Sequence, residues 1–467
     1  MVSEDCYARA AGIKIFECPP YPWREGFSDF LTLLTCVSLF YNSIMKKLMI
    51  VFASIGILAG CANSMQKRLD DVRADFASAK FEKQKIGDKN LDPLLAGNAL
   101  FQQDKFVESD AAFEDINTRM PGAQSTGLMS EAGKALSGQM AGNYKPYFMD
   151  DLFVSYYQIW DALGDGRTAD ARVIINQSYA KQQRLSEEYA KLIKSREKDN
   201  NGLGANLRAD ASAASENSGW SAFTDIMNPA LTYLAGIYFL NFAETMSDFE
   251  TARTYLNRGA GMAPGIKSIK DDLALANARR EPTGIAWIFI ESGFAPKLVE
   301  KRIDWPILMS SGPRAVTFAI SDAIAVPAPP DIEGAERLAD VDAMFMTEFS
   351  EYQANAALRA FASAASKLAL QSVAQKQMGM LGALGGTVYS IASNSAEVRT
   401  LATLPKQISV IRVDKGTKCK QNNDCLIELK SGGKVVSEIQ VPKTGNHLIY
   451  IRWFGKEVRP KLIKLKG

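Results

Sequence analysis

The chain reads as an α+β protein: an α-helical repeat array over 91–280, then a β-rich domain over 281–330 and 405–467 with a helical segment, 331–404, inserted into it. Two observations carry this. Apolar residues between Leu94 and Arg280 recur at three- and four-residue spacing in paired runs separated by short polar turns, the period of packed helices. Beyond Glu281 the pattern changes to short apolar or alternating runs bounded by Gly, Pro, Asn and Asp, which is how strands and hairpins read.

Within the helical part, Gly97, Ala99, Leu100, Phe106, Ser109, Phe113, Ile116 and Pro121 place small residues opposite large ones, with Gln103-Asp104-Lys105 as the turn. Small residues let two antiparallel helices approach, and Leu100 and Phe113 fill the space between them. A second pair follows over 152–182, with Tyr156, Tyr157, Ile159, Trp160 and Leu163 before Gly164-Asp165-Gly166. Asn228 and Pro229 open a third pair as cap and first helical residue, and Gly236, Phe249, Ala252, Leu256 and Gly259 continue it. These positions resemble tetratricopeptide repeats, with Ser109 where the repeat usually has Ala; three such units are the minimum that bury a continuous core. The polar, Gly/Asn/Ser-rich run from Glu197 to Ser218 reads as a mobile loop, and 266–280 as a capping helix.

In the second half, Ile285 to Glu291 reads as a buried strand, and Lys297–Ile303 and Pro313–Val326 as further strands. The helical spacing of Ala343, Phe345, Met346, Phe349 and Tyr352 extends a helix over 331–376, and Gln377 to Ala392 is an apolar, glycine-rich stretch too short to span a bilayer. Five strand candidates close the chain, beginning at Ile408, Leu426, Val435, His447 and Val458.

The stretch from Met45 to Cys61 bears on location. Lys46 and Lys47 precede an apolar run from Leu48 to Leu58, and Leu58-Ala59-Gly60-Cys61 follows. A basic start, an apolar core and small residues at the cleavage point make a secretory signal. The last four residues resemble the lipobox of bacterial lipoproteins, which implies cleavage before Cys61, a diacylglyceryl thioether on its sulfur and acylation of its new amino group. A transmembrane helix fits less well, because the two lysines divide the greasy tract from Phe30 onward into halves shorter than a span. On this reading 45–60 is the signal, 61–90 a tether or first exposed helix, and 1–44 an upstream extension with unpatterned Cys6, Cys18 and Cys36. The resemblance also implies the periplasmic face of the outer membrane, because Ala62 stands after the cysteine where an acidic residue would favour inner-membrane retention.

Cys419 and Cys425, which flank a turn-rich loop, read as a disulfide of an exported protein; metal binding is the alternative, without a matching second pair. The net charge of +2 offers no electrostatic footprint for nucleic acid. No catalytic constellation stands out: Gly382–Gly386 lacks the Lys-Ser/Thr ending of a phosphate loop, His447 is the only histidine, and the pairs Asp150-Asp151 and Asp271-Asp272 read as helix-start or solvated residues. We therefore expect no cofactor, no metal and no enzymatic activity. The dense aromatic group Tyr144, Tyr147, Phe148, Tyr156 and Trp160 divides between repeat core and the rim of a partner-binding groove.

With the lipobox, the repeats and the segments Glu291-Ser-Gly-Phe-Ala-Pro296, Glu300-Lys-Arg-Ile303 and Leu401–Pro405 together, most of 61–455 resembles a family of bacterial lipoproteins with tetratricopeptide-like repeats, for which no activity is established. The resemblance implies architecture only. The expected function is a periplasm-facing scaffold or adaptor for an envelope protein, such as a cell-envelope assembly or a peptidoglycan synthase. A peptidoglycan- or glycan-binding or -processing protein is the alternative.

Overall fold

The computed structural model describes residues 61–81, 85–119, 142–198, 227–309, 312–350, 395–419, 424–456 and 459–465, with 352–353, 360–361, 363–365 and 367–368. The chain divides into Met1–Gly56 and Ile57–Gly467, and every described residue belongs to the second unit. Helices and strands are both abundant and interleave as α+β. The signal stretch, the Glu197–Ser218 loop except its first two residues, and Gln377–Ala392 lie outside the described residues.

Helix α1 spans Cys61–Ala77. Three helical hairpins follow: α2 (Leu91–Gln102) with α3 (Phe106–Arg119), α4 (Phe148–Gly164) with α5 (Thr168–Lys198), and α6 (Pro229–Asn241) with α7 (Met246–Met262). Helix α3 also packs on α4, and α7 on α8 (Lys267–Asn277), so the helices form one stacked layer. The close approaches fall where the small residues are. A Cβ on Gly97 would meet the Phe113 ring at 2.7 Å, and one on Gly236 would meet Leu256 Cδ2 at 2.7 Å. The turns form as their residues dictate: Asp104 takes φ 60° and Gly166 φ 76°, left-handed conformations that end a helix. Asn228 caps α6 by accepting from the amides of Ala230 and Leu231 at 3.0 and 3.1 Å, with Pro229 in the first turn.

The strands are β1 (Ile285–Ser292), β2 (Lys297–Met309), β3 (Gly312–Ile324), β4 (Glu336–Asp340), β5 (Gln407–Asp414), β6 (Asp424–Ser431), β7 (Lys434–Pro442), β8 (His447–Trp453) and β9 (Lys461–Lys464). A five-stranded sheet has the order β4-β5-β1-β8-β9; β1 and β8 run parallel and the other neighbours antiparallel. The apolar run of β1 needs both faces covered. Trp287 and Phe289 face the helical layer with Leu448 and Tyr450 of β8, whereas Ala286, Ile288 and Ile290 face the β6–β7 hairpin through Ile427, Leu429, Ile439 and Val441. The β2–β3 hairpin forms its own smaller core, in which Val316, Phe318 and Ile320 meet Ala360, Phe361 and Ala364.

Two expectations are corrected. The helix expected from 331 begins only at 341, because 336–340 pairs with β5 as an edge strand, with a bulge between Arg337 and Ala339. Residues 61–90 are no solvated tether: α1 buries Leu69, Val72 and Phe76, on one helical face. One hydrophobic cluster runs from α1 through the hairpins into β1, β5 and β8, so the helical and β-rich parts share a core.

Candidate functional site

The candidate aromatic group lies inside the fold. Tyr144, Tyr156 and Trp160 are at most 1 % exposed, Phe148 5 % and Tyr147 9 %. The Trp160 ring sits 5.4 Å from Phe289 and 5.6 Å from Tyr450, edge to face, and so joins α4 to the sheet. Tyr147 packs on Phe345 at 5.4 Å and on Tyr352 at 5.8 Å. The Tyr144 hydroxyl donates to Asp150 Oδ2 at 2.6 Å. These rings are core, and the assignment to a groove rim is corrected. The reason is architectural: α4 is sandwiched between its helical neighbours and the sheet, so nearly all of its residues are buried.

The helical and sheet layers are also tied by buried charges that the sequence did not single out. Glu291 of β1 is fully buried; its Oε2 accepts from Tyr157 at 2.9 Å, Tyr450 at 2.7 Å and Arg452 Nη1 at 3.1 Å. Burial pushes its carboxyl above the ordinary range, and Arg452 and the phenols oppose that rise. Asp272 of α8 repeats the arrangement: Tyr233 at 2.6 Å and Trp287 at 2.7 Å share Oδ2, while Arg412 of β5 donates to Oδ1 at 2.7 Å. Its burial corrects the expectation of a solvated Asp271-Asp272 pair, of which only Asp271 faces outward, beside Lys267. Arg399, ahead of β5, holds Asp88 at 2.7 Å and also Glu397.

His447 faces Lys415, whose ammonium lies 2.9 Å from Nδ1 and also meets the carbonyls of Pro442 and Gly445 at 2.5 and 2.9 Å. Burial lowers His447 to about 4 and Lys415 to about 8, so near neutral pH a neutral imidazole accepts from a cationic lysine. Most of these groups pair with one another away from solvent, whereas Glu291 Oε1 and Asp150 Oδ1 are buried without a partner among the described residues. Among the described residues, no three His, Cys, Asp or Glu side chains are placed to hold a metal ion.

A surface feature lies elsewhere. The starts of α3, α5 and α7 are linked side by side: Arg167 at the head of α5 pairs with Asp110 of α3 at 2.9 Å, and Arg172 of α5 pairs with Asp248 of α7. Each of these helices presents one large apolar side chain that is more than half exposed: Val107 (56 %), Val173 (53 %) and Met246 (63 %). Periodicity alone does not mark these side chains, because each lies off the apolar stripe of its own helix.

Cys61 begins α1, immediately after the lipobox-like residues. Cys419 and Cys425 form a disulfide with Cα atoms 5.3 Å apart, and it packs beside the core under the β6–β7 hairpin. No helix among the described residues is long and apolar enough to cross a membrane. Compared with protein-family profiles, with curated proteins and with solved structures, the chain finds no match in any of the three.

Proposed function

We propose that this chain is a lipid-anchored, non-enzymatic interaction protein of the bacterial cell envelope, held on the periplasmic face of the outer membrane through Cys61. The observation that carries the reading is the lipobox-like Leu58-Ala59-Gly60-Cys61, whose cysteine is the first residue of α1. Two acyl chains suffice for stable anchoring at about 0.8 kcal/mol per buried methylene. A disulfide between the only two cysteines beyond Cys61 agrees with an oxidising compartment.

The three helical hairpins, with Gly97 against Phe113 and Gly236 against Leu256, support a tetratricopeptide-like array, a scaffold suited to protein recognition. With the aromatic group buried, Val107, Val173 and Met246, exposed on helices joined by the Arg167–Asp110 and Arg172–Asp248 pairs, become the candidate contact residues for an envelope protein. The test is crosslinking in the native envelope from photoreactive residues at positions 107, 173 and 246. One discrete adduct common to all three positions supports the reading. Retention on purified peptidoglycan without any adduct would favour a glycan-binding protein instead.

A further inference from the structure

A lipoprotein usually needs a stretch of free chain if it is to act far from its anchor. A flexible chain of twenty-odd residues has a root-mean-square span of about 25–30 Å and can stretch much farther. Residues 61–77 form a helix instead, and its second half is bolted to the body. Leu69, Val72 and Phe76 are each at most 2 % exposed. Arg68 Nη1 donates to the carbonyl of Ile86 at 2.9 Å. Asp70 receives Arg73 and Lys297, each at 3.1 Å, which ties α1 to the start of β2. Arg73 also reaches Thr400 at 3.4 Å, and the Phe76 ring stands edge-on to Phe81 at 5.2 Å.

Only the first two turns of α1 separate Cys61 from these contacts. At 1.5 Å per residue, that is a reach of about 12 Å along the helix. Within those turns Lys67 and Arg68 carry the only charges, both positive, and their side chains are exposed. Basic residues are attracted to an anionic bilayer surface within a Debye length of it.

From this geometry we infer that α1 is a rigid short post that holds the folded body against the membrane carrying the anchor, so that anything it binds must come to the surface of that membrane. The inference rests on the lipid-anchor reading and narrows it: no free stretch of described chain after Cys61 lets the body move away from its anchor.

Neutron reflectometry tests it on the lipidated full chain, tethered to a supported bilayer of phosphatidylethanolamine and phosphatidylglycerol. The native chain is expected to show protein density beginning within about 12 Å of the headgroups. A variant with about twenty Gly/Ser residues inserted between Ala62 and Asn63 leaves the packed half of α1 untouched and is expected to open a hydrated gap of about 25 Å. A gap of that width under the native chain would overturn the inference. Acyl labelling of the same preparation separates the two levels. A labelled Cys61 with a wide gap overturns the post alone, whereas an unlabelled Cys61 overturns both the post and the anchor reading.

Discussion

Gly97 of α2 lies against the ring of Phe113 on α3, so close that a methyl group at residue 97 would meet Cε1 at 2.7 Å. Phe113 is fully buried, and its ring is stacked on Tyr157 with centroids 6.0 Å apart. Gly97→Ala therefore sets a gain in helix propensity of up to about 1 kcal/mol against an overpacking cost of about 1–3 kcal/mol. We expect net destabilisation, read as a lower denaturation midpoint. Gly261→Ala in α7, where nothing lies within 4 Å of the added carbon, is expected to stabilise by several tenths of a kcal/mol. Equal effects at the two sites would contradict the close-approach account of the hairpins.

The buried pair of Glu291 and Arg452 gives a second expectation. Glu291→Gln leaves the Arg452 charge in the core without its carboxylate, at a cost of about 3–5 kcal/mol. Adding Arg452→Met should recover part of that loss, because the stranded charge is then gone. Urea denaturation of the two single variants and the double variant measures the coupling. Strict additivity would show that the pair does not act as a unit.

A third expectation concerns pH. Glu348, in the helix beginning at 341, accepts from the amides of Phe148 and Met149 at 2.5 and 3.0 Å and so caps α4 from two hundred residues away. Burial pushes its carboxyl up to about 8, against the pull of the two amides. In the unfolded chain the same group ionises near the ordinary glutamate value of about 4.3. Between those two values the folded chain holds the extra proton. Its contribution is fully present below the lower value and is lost as pH rises through 8, by at most about 1.4 kcal/mol per pH unit. Asp150, pushed up to about 7, adds to the same trend. Denaturation midpoints from pH 5 to 8 should fall with pH, and less steeply in Glu348→Gln; an unchanged slope in that variant would refute the assignment.

Much of the fold was legible because local pattern and global packing agree. The hairpin turns at Asp104 and Gly166, the Asn228 cap and the strands from Ile285 and Ile408 onward appear where their residues place them. β4 was not legible: Glu336–Asp340 is short, has no alternation, and becomes a strand only by pairing with β5. The role of the aromatic group was ambiguous in sequence, since a helix covered on all sides and a helix at a groove rim are both rich in Tyr and Trp. What decided it was the sheet packed behind α4, which brings Phe289 and Tyr450 onto Trp160. The ion pairs Glu291–Arg452 and Asp272–Arg412 join positions well over a hundred residues apart, and no spacing rule finds such partners.

The exposed apolar side chains give a fourth expectation. Val173→Asp and Met246→Asp change residues that are more than half exposed, so stability should shift by less than about 0.5 kcal/mol. Capture of an envelope partner should drop at least tenfold in the double variant. Undiminished capture by a folded double variant would place the contact surface elsewhere.

The most direct test of the central claim is intact mass and N-terminal analysis of the mature protein, purified from bacterial membranes after metabolic labelling with fatty acid. The account predicts a chain that begins at Cys61, carries acyl label on that residue, and loses both label and membrane association in Cys61→Ala. A membrane-free chain that retains residues 45–60 and carries no acyl group at Cys61 would contradict it.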